Sequence, residues 1–449
     1  MKLTKLSLIA AMLIGSSAFA IENTKVSGDV KLFYGTMDSD TGTYLGNKTS
    51  LFDAEGAYGN IAVDLELTTD LTKGVSAGAK GTYITTLGLE NNLVDNTWSN
   101  SHGITSNTSS SFGNPPTTGL QLDDAFYLGE LWIAGTAFDT TLKVGRQALD
   151  TPLAFTETWG IDQNTFEAVV LINQSIPDTT LVATYVGKSN GSADDLATLA
   201  LDGSNNYVSG SLNNISGAQA GVVAQDGKFN TFGTDGVYVV GAINNSFKPL
   251  TVQAWYYSLQ QMAEAVWVQA DLNMEGILAG VQYTEVDVDK LFSGVDEDEA
   301  YAAMLGYEMK DVATFKVAYS SVDDRGTIGV GNVATGSRTG TGNSNQSKLY
   351  TEMWWAYGNV SATGADSYSF TAEGTAAGVN LLLGYYYADI DPTGTANDAE
   401  TTEIALVASK SFGPLDTSLA LIHNEFDDNS VGGVDEDVNT LQVYLTYNF

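Results

Sequence analysis

The chain has 449 residues, with 54 Asp and Glu against 19 Lys and Arg and a formal net charge of −35 at pH 7. So negative a chain repels phosphate backbones, which excludes nucleic-acid binding, and 43% hydrophobic residues with 10% aromatics is too much for a disordered polyanion. There are no cysteines, so no disulfide framework supports the fold.

Residues 1–20, "MKLTKLSLIAAMLIGSSAFA", read as a secretory signal. Lys2 and Lys5 supply a basic start, residues 6–15 are apolar, and Ala18-Phe19-Ala20 forms an A-x-A cleavage site. The mature chain is then expected to be one domain, residues 21–449. No later stretch reaches the roughly 18 uninterrupted apolar residues of a spanning helix, so any membrane crossing must use strands.

Beyond the signal, a period-two alternation of apolar and polar residues recurs along the chain. "NIAVDLELT" sets Ile61, Val63, Leu65 and Leu67 against Asp64 and Glu66. "GILAGVQYT" sets Ile277, Ala279, Val281 and Tyr283 against Gln282 and Thr284, and "ATFKVAYS" sets Phe315, Val317 and Tyr319 against Lys316 and Ser320. "LQVYLTYNF" ends the chain with Leu441, Val443, Leu445, Tyr447 and Phe449 against Gln442, Tyr444, Thr446 and Asn448. In all, the alternation predicts 18 strands, near 24–37, 56–68, 75–87, 123–135, 140–147, 164–172, 179–188, 234–244, 250–259, 263–272, 276–286, 298–308, 313–321, 364–373, 378–389, 401–411, 416–424 and 437–449. A count of 16 stays open if the segments near 250–272 pair differently.

The connections after even-numbered strands are short, such as "FDT", "SIPD" and "FGPL", whereas those after odd-numbered strands are mostly long, including 88–122, 189–233 and 322–363. That asymmetry implies an all-β fold: a transmembrane antiparallel β-barrel with short periplasmic turns and long extracellular loops, its last strand closing on its first. Apolar faces ending in tyrosine fit an aromatic girdle at the membrane surface. A soluble sandwich, jelly roll or propeller would share the alternation but not the asymmetry.

The stretch 141–188, "TLKVGRQALDTPLAFTETWGIDQNTFEAVVLINQSIPDTTLVATYVGK", resembles the major outer-membrane porins of Campylobacter and related ε-proteobacteria, an OprD-like group. The "KVGRQ-x-LDTP" and "NTFEA…IPDTTLV" portions carry the likeness. The terminal "YNF" resembles the C-terminal aromatic signature read by the barrel assembly machinery, with Phe449 as the terminal aromatic. The resemblance implies an 18-stranded barrel, usually a homotrimer, acting as a diffusion channel with modest cation preference and a third loop lining its constriction.

A barrel of that size is too wide for wall side chains to fill, so it holds water or a plug. The first strand follows the cleavage site too closely for a plug domain, so an infolded loop is expected to narrow the bore. The candidate is the connection 148–163, which carries Asp150, Glu157 and Asp162; the plainer reading is a surface loop whose acids are solvated. Arg146 in "KVGRQ" would oppose these acids if it faced the lumen, although its parity with Leu142 and Val144 points to the lipid face unless the strand bulges or ends there. Alternation assigns Asp64, Glu66, Asp271, Glu308, Glu373 and Glu403 to the lumen, with Lys31, Lys80 and Lys316 as basic counterparts. The surplus of acid predicts cation preference, strongest at low salt.

"DIDPTGTANDAE" places Asp389, Asp391, Thr393, Thr395 and Glu400 at EF-hand-like calcium spacing, with Gly394 at the turn. Pro392 and the strand flanks depart from that motif, and chance matches are common in so acidic a chain. Calcium is the one candidate cofactor, and divalent ions bridging loop acids to lipopolysaccharide follow the same chemistry. Catalysis has no support: the two histidines, His102 and His423, have no nucleophile at interpretable spacing, and no H-E-x-x-H motif occurs.

The expectation is therefore a non-enzymatic porin in the bacterial outer membrane, touching lipid and lipopolysaccharide and passing cations and small hydrophilic solutes. Two alternatives remain open: a substrate-selective channel of the same fold, and a structural or adhesive barrel whose loops 189–233 and 322–347 meet an external partner.

Overall fold

The computed structural model describes residues 22–41, 48–85, 87–88, 98–100, 103–104, 125–191, 229–231, 236–259, 263–288, 296–326, 328–333, 338–339, 342–343, 346–391, 398–428, 433 and 435–449. Eighteen long strands run in chain order: β1 (Glu22–Met37), β2 (Ala57–Thr72), β3 (Val75–Thr85), β4 (Ala125–Ala137), β5 (Thr140–Gln147), β6 (Phe166–Asn173), β7 (Thr179–Ser189), β8 (Val237–Asn244) and β9 (Leu250–Leu259), then β10 (Ala263–Met274), β11 (Ile277–Asp287), β12 (Asp298–Met309), β13 (Ala313–Val322), β14 (Ala365–Ala376), β15 (Val379–Ile390), β16 (Ala399–Phe412), β17 (Leu415–Asp428) and β18 (Glu436–Asn448).

Each strand pairs antiparallel with its chain neighbours, and β1 pairs with β18 from Asp29↔Asn448 to Met37↔Thr440, so the sheet closes. Closure is completed by Phe449 and Gly28, which exchange backbone hydrogen bonds of 2.9 and 3.0 Å. A Cβ on Gly28 would lie 2.4 Å from the Asp64 carbonyl oxygen and 2.7 Å from the Phe449 ring, so only glycine admits that ring at the seam. The sixteen-strand alternative fails in the register. β9 pairs with β8 on one side and with β10 on the other (Leu250↔Leu272), and β10 pairs in turn with β11 (Met274↔Ile277).

The short turns gather at one end. Phe138 and Asp139 (φ 50° and 56°), Glu275 and Gly276 (54° and 86°), and Ala377 and Gly378 (53° and 72°) give left-handed two-residue turns that match strand twist. The outer face is apolar and exposed, with Val281, Leu305, Val317, Leu383 and Ile404 among the exposed large side chains, while their strand neighbours Ala302, Ala318 and Ala405 are buried inside. A soluble sandwich would show the reverse polarity. Tyr301, Tyr319, Tyr368 and Tyr387, on the consecutive strands β12 to β15, form a ring ladder with centroids 6.2, 5.0 and 6.5 Å apart on that outer face. This is the aromatic girdle that the sequence predicts.

Candidate functional site

The connection between β5 and β6 turns back into the barrel. Thr151 makes the reversal, its hydroxyl donating to the Ala154 carbonyl at 2.7 Å, and Leu149 and Thr156 face each other through a 2.7 Å backbone bond. The Glu157 amide donates to Asn164 Oδ1 at 2.7 Å. A loop that satisfies its own backbone in this way can leave bulk water at low cost. Its apolar side chains do the anchoring: Leu149, Leu153 and Ala154 join a core against the walls of β6 to β15, and Ile161 joins a second core with Phe33, Tyr58 and Tyr127.

Charge fastens the far end of this loop. Asp162, 4% exposed, accepts from Lys80 Nζ at 3.0 Å and from the Tyr127 hydroxyl at 2.6 Å, with Lys31 Nζ at 3.7 Å. Asp64 completes the cluster, taking Lys31 at 2.6 Å, Lys80 at 3.0 Å and the Thr82 hydroxyl at 2.6 Å. Burial opposes ionisation of Asp162, but Lys80 and Lys31 more than offset it, so its pKa lies below the usual carboxylate value.

A second loop, after β13, also crosses the bore. Thr351 and Ser320 hydroxyls meet at 2.5 Å, Gln282 Nε2 donates to the Lys348 carbonyl at 2.8 Å, and the Tyr350 hydroxyl donates to Asp271. Farther round the wall, on β16, Glu403, fully buried, accepts backbone N–H bonds from Trp354 (2.6 Å), Trp355 (3.1 Å) and Ala356 (2.8 Å) and one from Asn424 Nδ2 (2.9 Å). The Trp355 ring lies 6.1 Å from Tyr58 and 6.1 Å from Trp159. Burial pushes the Glu352 carboxyl of this loop well above the usual range; Glu157 and Glu403 add to the push, and the two Ser347 hydrogen bonds oppose it.

Asn332 knots the two loops together. Its Nδ2 donates to the Phe155 carbonyl at 2.9 Å and to Glu157 Oε1 at 2.8 Å, while the Phe155 amide donates to its Oδ1 at 3.2 Å. Nearby, Lys348 Nζ reaches Asp150 at 2.8 Å, and Asp150 is 84% exposed. Two loops fixed to the wall and to each other make one cross-piece.

The predicted site residues separate accordingly. Asp150, Glu157 and Asp162 all lie on the infolded loop, but only Asp150 is open to water. Asp64 and Glu403 face inward and are closed off by their bonds, and Asp271 is engaged by Tyr350. Glu66, Glu308 and Glu373 face inward and stay exposed, the last with Lys316 at 3.6 Å.

Arg146 is a correction. It keeps the parity of Leu142 and Val144, its Nε and Nη2 both 3.0 Å from Glu167 Oε1 and its guanidinium 4.1 Å over the Phe229 ring. Glu167 shares the parity of the exposed Val169 and Leu171, so the pair sits on the outer face and does not oppose the loop acids. At the calcium motif, Thr393 and Thr395 fall outside the described residues. Asp389 and Glu400 are cross-strand neighbours, and the Tyr387 hydroxyl donates to Glu400 at 2.9 Å. Among the described residues no group of three or more His, Asp or Glu is arranged to hold a metal.

The sequence reading missed the second loop, with Asn332, Lys348 and the Trp354–Ala356 backbone. The one available signal was "MWWAYG", an aromatic run inside a connection otherwise rich in Ser, Thr, Gly and Asn.

The closed 18-stranded antiparallel β-barrel matches the fold of OprD-like porin structures. The chain is similar to Pseudomonas aeruginosa OccK3 (OpdO), with a TM-score of 0.62 and 14% identity, covering 95% of this chain and 96% of that one. It is similar also to OpdL of the same organism (TM-score 0.63, 15% identity, 95% and 99% covered) and to Acinetobacter baumannii OccAB3 (0.64, 14%, 95% and 100%). At such identities the likeness establishes the fold. No family model and no curated protein sequence matches the chain. These neighbours come from Pseudomonas and Acinetobacter, so they carry the OprD-like part of the resemblance and give nothing for its Campylobacter part.

Proposed function

We propose that the chain is an outer-membrane porin through which ions and small hydrophilic solutes diffuse past the two-loop cross-piece, with cations favoured. The observation that carries this reading is the pair of loops crossing a barrel too wide to be filled by its wall, while Glu66, Glu308 and Glu373 stay exposed on the inner face. Planar-bilayer recording of the refolded mature chain under a KCl gradient tests it. Discrete steps with a reversal potential favouring K⁺ support the proposal; a folded, heat-modifiable barrel without steps sinks it and favours a structural role. A homotrimeric state belongs to the same proposal and is tested by the mass of the detergent-extracted complex.

A second reading, a substrate-selective channel, is favoured by the exposed Asp150–Lys348 pair, which offers both signs of charge to a passing solute. Saturable uptake or current block by one solute class distinguishes it from simple diffusion.

A further inference from the structure

Glu403 sits on β16 facing inward, so alternation reads it as a lumen acid that solutes would meet. Its surroundings say otherwise. Its exposure is 0%. Both carboxylate oxygens are taken by donors, Oε1 by the amides of Trp354 and Trp355 and Oε2 by those of Trp355 and Ala356 and by Asn424 Nδ2. Three successive backbone N–H groups converging on one anion form a nest, the geometry by which a loop grips a negative charge. Its cross-strand neighbours on the wall are Tyr386 on β15 and Asn424 on β17, the latter one of these donors. No ion pair to Glu403 occurs among the described residues.

We propose that Glu403 is a positioning residue: a wall-mounted anionic peg from which the second loop hangs, so that this one carboxylate sets the width of the bore without touching a solute. The inference rests on the channel reading and deepens it. Because Asn332 ties the loops together, the peg also steadies the first loop, whose own fastening is the Asp162 cluster on β1, β3 and β4. The cross-piece thus has two charged mounts on separate strands of the wall, the Asp162 cluster on β1 to β4 and Glu403 on β16. Loss of either should loosen both loops, and the combined loss should not be the sum of the two.

The isosteric Glu403→Gln puts an amide donor where an oxygen meets backbone donors, leaving at least one buried N–H without an acceptor. The first measurement is hydrogen exchange of the 354–356 amides in the refolded barrel, which reads the peg whether or not current flows. Loss of their protection in E403Q is expected; unchanged protection overturns the proposal. The second is single-channel recording. E403Q should replace quiet steps by larger, noisier ones, with a roughly tenfold rise in the share of time spent in the wide level, as an unmade buried hydrogen bond implies. The reversal potential should stay near wild type, because the peg is not solute-facing.

A disulfide built as Ser320→Cys with Thr351→Cys replaces hydroxyls that meet at 2.5 Å and ties the same loop to β13. Oxidised in the E403Q background it should restore the narrow, quiet level, and reduction should release it. Failure of the tether to restore that level overturns the width-setting role. If protection is lost but wild type itself passes no current, the channel reading fails and the peg stands.

Discussion

Replacing Asp162 by Asn should unfasten the first loop while leaving the barrel intact. The carboxylate is only 1% exposed at its side chain and is held by Lys80, Lys31 and Tyr127. Removing one member of such a buried set costs about 3 kcal/mol, at the low end of the usual range because Asp64 remains to hold both lysines. That is roughly two decades in the equilibrium between docked and released loop. The strand ladders are untouched, so heat-modifiable migration of the barrel should not change, while single-channel steps become larger and flicker. The pH dependence has a definite sign. A carboxylate whose folded pKa is lowered stabilises the docked loop above its unfolded value, and that contribution is lost as pH falls through the folded one. In wild type this cluster should therefore add a rise in conductance only as pH falls below the usual carboxylate range. D162N should be noisy throughout, without that acid transition. Quiet, wild-type steps from D162N would refute the claim that this cluster is the fastening.

Neutralising the exposed pair should act on selectivity rather than width: Lys348→Met should shift the reversal potential toward stronger cation preference and Asp150→Asn away from it, with under about 1 kcal/mol of stability at stake in either. For Glu352 the sign is opposite to that of Asp162. Its folded pKa is raised, so stability of the second loop is lost as pH rises from the ordinary carboxylate value; channel noise should grow between mildly acid and alkaline pH in wild type and stay flat in Glu352→Gln. Leu305→Arg places a charge on the lipid face, where its neighbours are equally exposed and apolar, and should destabilise the barrel by about 2–4 kcal/mol in denaturant unfolding from vesicles if it lies near the midplane. Neutralising Glu66, Glu308 and Glu373 together should remove most of the cation preference, measured as reversal potential at low salt; an unchanged potential would take these three out of the selectivity account.

The wall of this barrel was legible because a strand's two faces answer to two solvents. Alternation over "ATFKVAYS" or "LQVYLTYNF" places every side chain in or out, and turn chemistry such as the "FDT" around Phe138 and Asp139 marks where each hairpin ends. Predicted and observed strands accordingly differ by a few residues at most. The 148–163 loop was visible through its position and its acids. The second loop was not, because nothing periodic marks a chain that folds across a bore. Its amides are satisfied by Glu403 and Gln282, and its Thr351 hydroxyl meets that of Ser320, side chains far away in sequence. Arg146 shows the converse: parity alone placed it outward, and the attraction of a cation facing loop acids was the weaker argument.

The division of the inward acids bears on what the chain's charge means. Alternation assigned six carboxylates to the lumen as if they formed one field. Three of them are already spoken for: Asp64 by two lysines, Asp271 by Tyr350, Glu403 by three amides and Asn424. A carboxylate whose oxygens are filled by fixed donors, in a place closed to water, spends its field on those donors and offers little to a passing ion. Glu66, Glu308 and Glu373 remain exposed, and Glu373 is partly countered by Lys316. The same residue type therefore has two functions inside one barrel. Near the loops it fixes structure, where burial makes each charge strong and immobile. On the exposed inner wall, solvated charge is weak per residue and tunable by salt. A net charge of −35 thus overstates the field that the inner wall presents, because Asp64, Asp162, Asp271 and Glu403 are held by fixed donors at and beside the two loops.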